Sequence, residues 1–544
     1  ALTPNFEDEP FYQKEAVGID FIVPKEADRI IIALSSNYTI RTIELHNALS
    51  VTQQEIFVKW AQPFDFSNKK ELHTTLWSSF DLEPLNKKFY SEITRLFTEL
   101  VQHFTAQNIF DGRHAALFTN RLIGRLIFCW FLRKKGIIAD THAYFETAGL
   151  SSTDYYRQKL ERLFFAILNT SLDDREKMSD VKYNLFGKTK PAPTLFSTDT
   201  ETPFLNGGLF EPRPTDHYAE NKITFPADYF QRFFDFLNHY NFTTDESTSS
   251  FQQVAIDPEM LGRIFENLLA EQTEDTGVQA RKAKGAFYTP REIVDYMCRE
   301  SLRAYIAGKL PDDDKKNYIL ELLFDKKEHE FDNRNHRADL VPYKKFIIEA
   351  LDQVKVLDPA CGSGAFPMGI LQRMLTLYER LETRFDVYKT KVSIIQNNLY
   401  GIDIEPMAVE IARLRAWLSV LVDEELNPKA KNMGVEPLPN LDFKFVCANS
   451  LIPLEKEDSL FDDKSIVEDM KNIRDSYFNT QSIKTKAEMK KKFAEVLKKT
   501  QSLFKTKKHD QLNTYRPFDT ENSCAFFDAE FMFGVNDGFD VVIG

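Results

Sequence analysis

The segment Asp358-Pro-Ala-Cys-Gly-Ser-Gly-Ala-Phe366 puts a carboxylate at the end of an apolar run, Lys355-Val-Leu, and just before a glycine-containing turn. A helical stretch, Ala365 to Tyr378, follows. Gly362 and Gly364 let the backbone approach a ligand closely, and the start of the helix offers free N–H groups and a positive dipole end. An acid at this strand end suits a ligand that carries a cationic amino group. A second run, Asn398-Leu-Tyr-Gly-Ile-Asp403, also ends in an acid. A carboxylate there can accept both hydroxyls of a ribose, or it can cap a helix opened by Glu405-Pro406. Asp403 follows Asp358 by 45 residues (403 − 358), against roughly 20 in a dinucleotide fingerprint, which argues against a nicotinamide dinucleotide. Ile404 stands where it can pack on a purine face. A third run, Asp442-Phe-Lys-Phe-Val-Cys447, leads to Ala448-Asn-Ser450. The Asn449 amide, donor and acceptor at once, can meet a purine edge or shape the loop.

The elements that must position these residues alternate between strand and helix signals from Asp257 to the closing run Phe539-Asp-Val-Val-Ile543, which predicts an α/β domain with a largely parallel sheet. Pro258 to Leu269 reads as a helix with Asp257 as N-cap, and Glu271 to Lys284 as a polar loop. Upstream, Ile19–Val23, Arg29–Leu34 and Tyr38–Leu45 read as strands. Residues 84–136 turn helical, with Asn120 to Gly136 ending in a basic last turn and a glycine stop. Thr189 to Pro214, rich in proline and holding Asn206-Gly-Gly208, reads as exposed and irregular. Three domains follow: a small β-rich one (1–83), a mainly helical one (84–256) and an α/β one (257–544). Two charged stretches interrupt the last: a polar loop from Phe324 to Asp339, and a helical insertion over 455–509 whose lysines either coat a solvated hairpin or contact a phosphate backbone.

Four segments in order resemble the gamma class of adenine-N6 DNA methyltransferases. Gly285-Ala-Phe-Tyr-Thr-Pro-Arg-Glu-Ile-Val-Asp-Tyr-Met297 resembles motif X and Asp358 to Phe366 motif I. Gly401-Ile-Asp-Ile-Glu-Pro406 is similar to motif II and Ala448-Asn-Ser450 to motif III. Arg121-Leu-Ile-Gly-Arg-Leu-Ile-Phe128 and Phe204-Leu-Asn-Gly-Gly-Leu-Phe210 resemble segments of large methylases of restriction-modification and phage-defence systems. The resemblance implies a Rossmann-like class I methyltransferase domain that binds S-adenosylmethionine. In it Phe287, Thr289 and Pro290 would line the methionine end, and Asp358, Ala360, Cys361 and Gly362 would form the turn beneath the cofactor. Asp403 would hold the ribose, Ile404 would lie against the adenine, and Asn449, where many members have Asp, would meet the adenine amino group. The implied partner is double-stranded DNA with a flipped adenine. Phe539 to Gly544 resembles the strand before motif IV, Asn-Pro-Pro-Tyr. That tetrapeptide is expected after Gly544, so no catalytic residue is assigned within the chain and the segment alone is expected to be inactive.

The bulk numbers set bounds on these readings. At 544 residues, with 43% hydrophobic and 28% charged residues, the chain is an ordinary folded protein of several domains. Five scattered cysteines without a Cys-x-x-Cys pair argue against zinc sites and disulfides and for a reducing compartment. The start shows no signal peptide, and the apolar stretch Leu122 to Leu132, interrupted by Arg125, is shorter than the ~20 residues of a membrane span. A cytoplasmic protein without a membrane partner is expected. A net charge of −13 gives no general attraction to nucleic acid, so DNA contact requires a local basic surface. A fused restriction nuclease, which would use Mg, has one weak candidate, Asp199 with Glu220-Asn-Lys222; Asp180-Val-Lys182 is no better. A non-catalytic scaffold that binds DNA or cofactor is the other alternative.

Overall fold

The computed structural model describes residues 17–22, 29–36, 39–46, 51–61, 69–80, 82–177, 183–185, 188–190, 199, 201–206, 208–218, 220–242, 251–253, 256, 260, 262, 289–326, 331, 334–382, 385–423, 426–455, 464–499, 507–518 and 521–544. Phe287 and all of the helix expected from Pro258 except residues 260 and 262 lie outside these residues, as do the loop Glu271 to Lys284 and Asp180-Val-Lys182. The chain forms two compact units: one of residues 1–119, 129–159 and 220–264, the other of residues 120–128, 160–219 and 265–544.

In the first unit, β1 (Val17–Ile22), β2 (Arg29–Ser36) and β3 (Thr39–His46) form an antiparallel meander where the β-branched runs lie. The remaining strands are β4 (Tyr183–Leu185), β5 (Lys188–Lys190), β6 (Phe251–Gln253), β7 (Val356–Asp358), β8 (Leu399–Asp403), β9 (Phe445–Cys447) and β10 (Val541–Val542). The meander is completed by β6, parallel to β3. The helical core of this unit is aromatic: Trp130 stacks on Phe234 at 5.8 Å, and Phe89 and Phe104 are fully buried among other rings.

In the second unit β4 pairs with β5, and a separate four-stranded, all-parallel sheet runs in the order β10-β7-β8-β9. All three residues of β7 are buried, as expected of a parallel strand covered on both faces. Helix Pro406–Leu421 is buried on nearly every side, and helix Arg291–Ala307 packs across helix Ala365–Leu381. A Cβ at Gly369 would lie 2.8 Å from Val294 and 2.9 Å from Cys298.

The structure corrects two expectations about solvent and one about a loop. Helices Lys464–Phe478 and Ile483–Lys499 do not form a wholly solvated hairpin: Met470, Ile473, Tyr477, Phe493 and Val496 join Leu357, Tyr400, Ile402 and Val446 in one core cluster. In the irregular segment Thr189 to Pro214 the described residues Phe204, Leu205, Asn206 and Phe210 are buried instead of exposed. Asn206 donates to the Leu438 carbonyl at 2.7 Å, which satisfies its amide without water. The supposed loop from Phe324 to Asp339 contains the start of helix Asn335–Leu340.

Helix Gly112–Lys134 is, by composition, long and apolar enough to cross a membrane, which Leu122 to Leu132 alone is not; it lies mostly buried inside the protein. Within the second unit its Arg121 and Arg125 are themselves buried and share Asp216, at 3.2 and 3.0 Å. Arg125 also donates to the carbonyls of Leu209 (2.8 Å) and Glu211 (3.1 Å). The Glu211 carboxylate in turn pairs with Lys486 (3.3 Å) and Lys490 (2.5 Å) of the lysine-rich helix. Burial opposes the charge of Asp216, but Arg125 and Arg121 overcome it and hold the carboxyl down at about 2. Removing one partner of a buried pair leaves the other charge uncompensated. Arg125→Met is therefore expected to lower the urea stability of this unit by about 3–5 kcal/mol. Because Asp216 has a depressed folded pKa, its contribution is present above the ordinary carboxylate range and lost as pH falls from about 4 towards 2. Asp216→Asn should flatten that acid limb; acid unfolding identical to wild type would contradict the assignment.

Candidate functional site

The sheet order makes the site. From β7 the chain moves outward through β8 to β9, then returns to lay β10 on the other flank of β7. That reversal is the point where open parallel sheets leave a crevice beyond their carboxyl ends. Asp358 closes β7 beside it and Asp403 closes β8. The chain leaving β10 also passes there, since a Cβ at Gly544 would lie 3.1 Å from Asp358 Oδ1.

The loop after β7 is fastened to the end of β8 by two bonds. The Cys361 N–H donates to the Ile402 carbonyl at 2.7 Å, and the Gly362 N–H to Asp403 Oδ2 at 2.8 Å. Asp403 Oδ1 accepts the Glu405 N–H at 2.8 Å. Both oxygens thus have backbone partners. Gly362 and Gly364 have φ of +52° and +86°, which a side chain rarely adopts. A Cβ at Gly364 would also press on Ala412 at 3.2 Å. From the next helix the buried Arg415 donates to the Ser363 carbonyl at 3.1 Å, and Arg413 donates to the Phe445 carbonyl while pairing with Asp442.

Asp358 is only 1% exposed. Its Oδ1 accepts the Ala360 N–H at 3.1 Å, whereas Oδ2 is buried with no hydrogen-bond partner. Burial raises its pKa to about 7; the Ala360 N–H works against the rise and the Asp403 charge adds to it. A buried acceptor left open in this way calls for a donor, and best for a cation. Burial also pushes the Cys361 thiol well up, so it packs as a neutral group. Ile404 is 56% exposed, an apolar side chain at the mouth of the crevice. Asn449 bends its own loop, its Oδ1 accepting the Leu451 N–H at 3.1 Å and its N–H donating to the Cys524 carbonyl at 2.9 Å.

Asp358, Ala360, Cys361, Gly362 and Asp403 are thus joined in one hydrogen-bonded loop, with Ile404 and Asn449 just past the ends of β8 and β9. Thr289 and Pro290 open helix Arg291–Ala307, with the Pro290 carbonyl accepting the Ile293 and Val294 N–H groups. Asp295 of that helix pairs with Arg373 on helix Ala365–Leu381, with 2.6 Å from Nε to Oδ1. Sequence reasoning missed Arg413 and Arg415; two arginines in a largely apolar helix were the available signal. Of the nuclease candidate, Asp199 Oδ1 accepts the Glu201 and Thr202 N–H groups, and Glu220 pairs with Lys222. Among the described residues no group of three His, Cys, Asp or Glu is placed to hold a metal.

Residues 397–544 match the family model described as Eco57I restriction-modification methylase. The chain is 31% identical over 350 residues to a provisionally named type II restriction enzyme and methyltransferase of Methanocaldococcus jannaschii, covering 62% of this chain and 27% of that protein. It is 34% identical over 70 residues to the adenine-specific methyltransferase PglX of Streptomyces coelicolor (13% of this chain, 6% of the relative). To the adenine-specific methyltransferase BrxX of Escherichia coli it is 29% identical over 128 residues (23% and 10%). The chain spans little more than a quarter of the first relative and a tenth or less of the other two.

A raised carboxyl pKa gives a definite sign. The folded protein holds the Asp358 proton where the unfolded chain has released it, so this residue makes stability fall as pH rises from about 4 to about 7. Asp358→Asn should melt above wild type at pH 8 and close to it at pH 4 in scanning calorimetry. Parallel melting curves across that range would refute the burial argument.

Proposed function

With residues 397–544 matching the restriction-modification methylase family and an open acceptor at the switch point of a parallel sheet, we propose that this chain is the cofactor-binding part of a site-specific DNA methyltransferase, acting on adenine N6 with S-adenosylmethionine. The observation that carries the reading is Asp358 Oδ2, buried and unpartnered in a glycine loop fastened to β8. S-adenosylmethionine supplies an electrophilic methyl group when bound.

The residues present fit such a cofactor. Asp358 would accept its ammonium group, Asp403 its ribose hydroxyls, and Ile404 would cover one face of its adenine. Asn449 Nδ2 remains to meet the adenine edge, its Oδ1 being engaged with Leu451. Phe287, Thr289 and Pro290 would close the methionine end, and Ala360, Cys361 and Gly362 the floor. The sheet, its flanking helices and the glycine turn support a Rossmann-like class I domain. Duplex DNA with its target adenine flipped out is the proposed substrate, presented beside the carboxyl end of β10. A cytoplasmic location accompanies this reading. The engaged Asp199 and Glu220 give a nuclease no comparable support.

Titration calorimetry of the chain with S-adenosylmethionine tests the cofactor. Asp403→Ala should weaken binding about tenfold or more, the scale of one or two hydrogen bonds to a charged group. Equal, measurable affinity in both proteins would remove the ribose assignment, and no binding by either would remove the cofactor. Affinity should also rise from pH 6 to pH 8 as Asp358 loses its proton. The reaction itself is read as N6-methyladenine formed in duplex DNA by the protein that carries this chain.

A further inference from the structure

At the amino ends of the same strands, opposite the Asp358 and Asp403 loops, lies a cavity of about 660 Å³. Residues that precede each strand line it: Lys355 before β7, Asn397 before β8, Lys444 before β9 and Asp540 before β10. Lys309, Lys471 and Arg474 bring its cations to five, against four carboxylates, in a chain whose overall charge is −13. Two of those carboxylates already accept bonds, Asp540 from the Lys355 N–H at 2.9 Å and Asp352 from the Tyr378 hydroxyl at 2.7 Å.

Two cations in the wall have no carboxylate partner among the described residues. Arg474 is 7% exposed; its Nη1 donates to the Phe531 carbonyl at 2.6 Å, but its Nη2 is buried with no hydrogen-bond acceptor. Gly534, at φ +72°, leaves that nitrogen room, since a Cβ there would come within 2.7 Å of it. Lys444 makes no ion pair among the described residues and sets its ammonium 4.1 Å from the centroid of the Tyr400 ring. Burial pushes its pKa down to about 7, with Asp475 opposing the fall and Arg474 and Lys355 adding to it. Helix ends at Gln353 and Asn397 turn partial negative charge towards this end of the sheet, which accounts for the gathering of lysines there. They give Arg474 Nη2 no acceptor.

A buried guanidinium nitrogen without an acceptor is as costly as a buried carboxylate without a donor. Guanidinium and ammonium together match phosphate oxygens, the volume is that of a small-molecule site, and Phe443, Phe533 and Phe539 supply apolar wall beside the charges. We propose that this cavity binds a small phosphate-bearing molecule of nucleotide size, its phosphate held between Arg474 and Lys444.

Calorimetry with inorganic phosphate and with uridine 5′-monophosphate tests it; uracil is chosen so that an adenine site is not read. Both probes should bind wild type, the nucleotide more tightly, and Lys444→Met should weaken both about tenfold, as loss of one charged hydrogen bond implies. Lys471→Gln, an exposed change at the rim that leaves the core intact, should weaken them by a smaller factor. Asp403→Ala should bind both probes as wild type does, which separates this site from the cofactor crevice. Binding of phosphate alone, with no gain from the nucleoside, would overturn the nucleotide-sized ligand. Unchanged affinity in Lys444→Met and Lys471→Gln, or no binding at millimolar probe, would overturn the site. Binding of a short DNA duplex that Lys444→Met weakens, without binding of either small probe, would assign the surface to a nucleic-acid backbone instead.

Discussion

The hydrogen bond from the Gly362 N–H to Asp403 Oδ2 is the constraint on which the site depends. It ties the turn after one strand to the acid that ends the next, so the two carboxylates are held as one unit. The turn adopts this path only because Gly362 and Gly364 accept positive φ and Gly364 lets helix Pro406–Leu421 approach to contact. Gly401 makes the same allowance within β8, where a Cβ would meet Phe445 at 2.6 Å. Arg415 then fixes the turn from behind through the Ser363 carbonyl. The glycines are thus packing requirements as much as ligand requirements, and a larger residue at any of them would move Asp358 before it touched a cofactor.

A second set of buried charges joins parts of the second unit that lie far apart in sequence. Arg121 and Arg125 hold Asp216, Arg125 holds the backbone at Leu209 and Glu211, and Glu211 holds Lys486 and Lys490. An apolar contact would tolerate sliding; a buried ion pair does not, because each displaced partner strands a charge. This network therefore fixes the register of helix Ile483–Lys499, which lends Phe493 and Val496 to the core beneath β7, β8 and β9. Stability of the parallel sheet and placement of the residues around Glu211 and Asp216 are one problem.

Much of the site could be read in the sequence because its signals are local. An apolar run, an acid, glycines and a helix specify a strand end and its turn wherever the strand lies in the sheet. The helical insertion was misjudged in its environment since its lysines dominate the composition, although Met470, Ile473 and Tyr477 recur at the 3.6-residue period of a buried face. For the described part of Thr189 to Pro214 the departure has another cause. Proline and glycine mark irregular backbone, not exposure, and here side chains such as Asn206 and Arg125 satisfy that backbone in place of water. Ion pairs between positions 91 or 95 residues apart have no one-dimensional signature at all.

The two ends of the parallel sheet carry opposite, uncompensated charges, and the backbone does not cancel them. Helices that follow the strands begin near the carboxyl ends and present positive dipole ends there, which eases the carboxylate charges without giving Asp358 Oδ2 a donor. Helices that precede the strands finish near the amino ends and do the same for Lys355 and Lys444. A fold selected for stability alone would replace Asp358 with a neutral residue and Lys444 with an apolar one, since each is held near neutral pKa by burial and has no ion pair among the described residues. Each costs the unliganded protein free energy that only a counter-charged ligand returns. Destabilisation at both ends of one sheet is what the two proposed occupants, a cation beyond the carboxyl ends and an anion beyond the amino ends, would relieve.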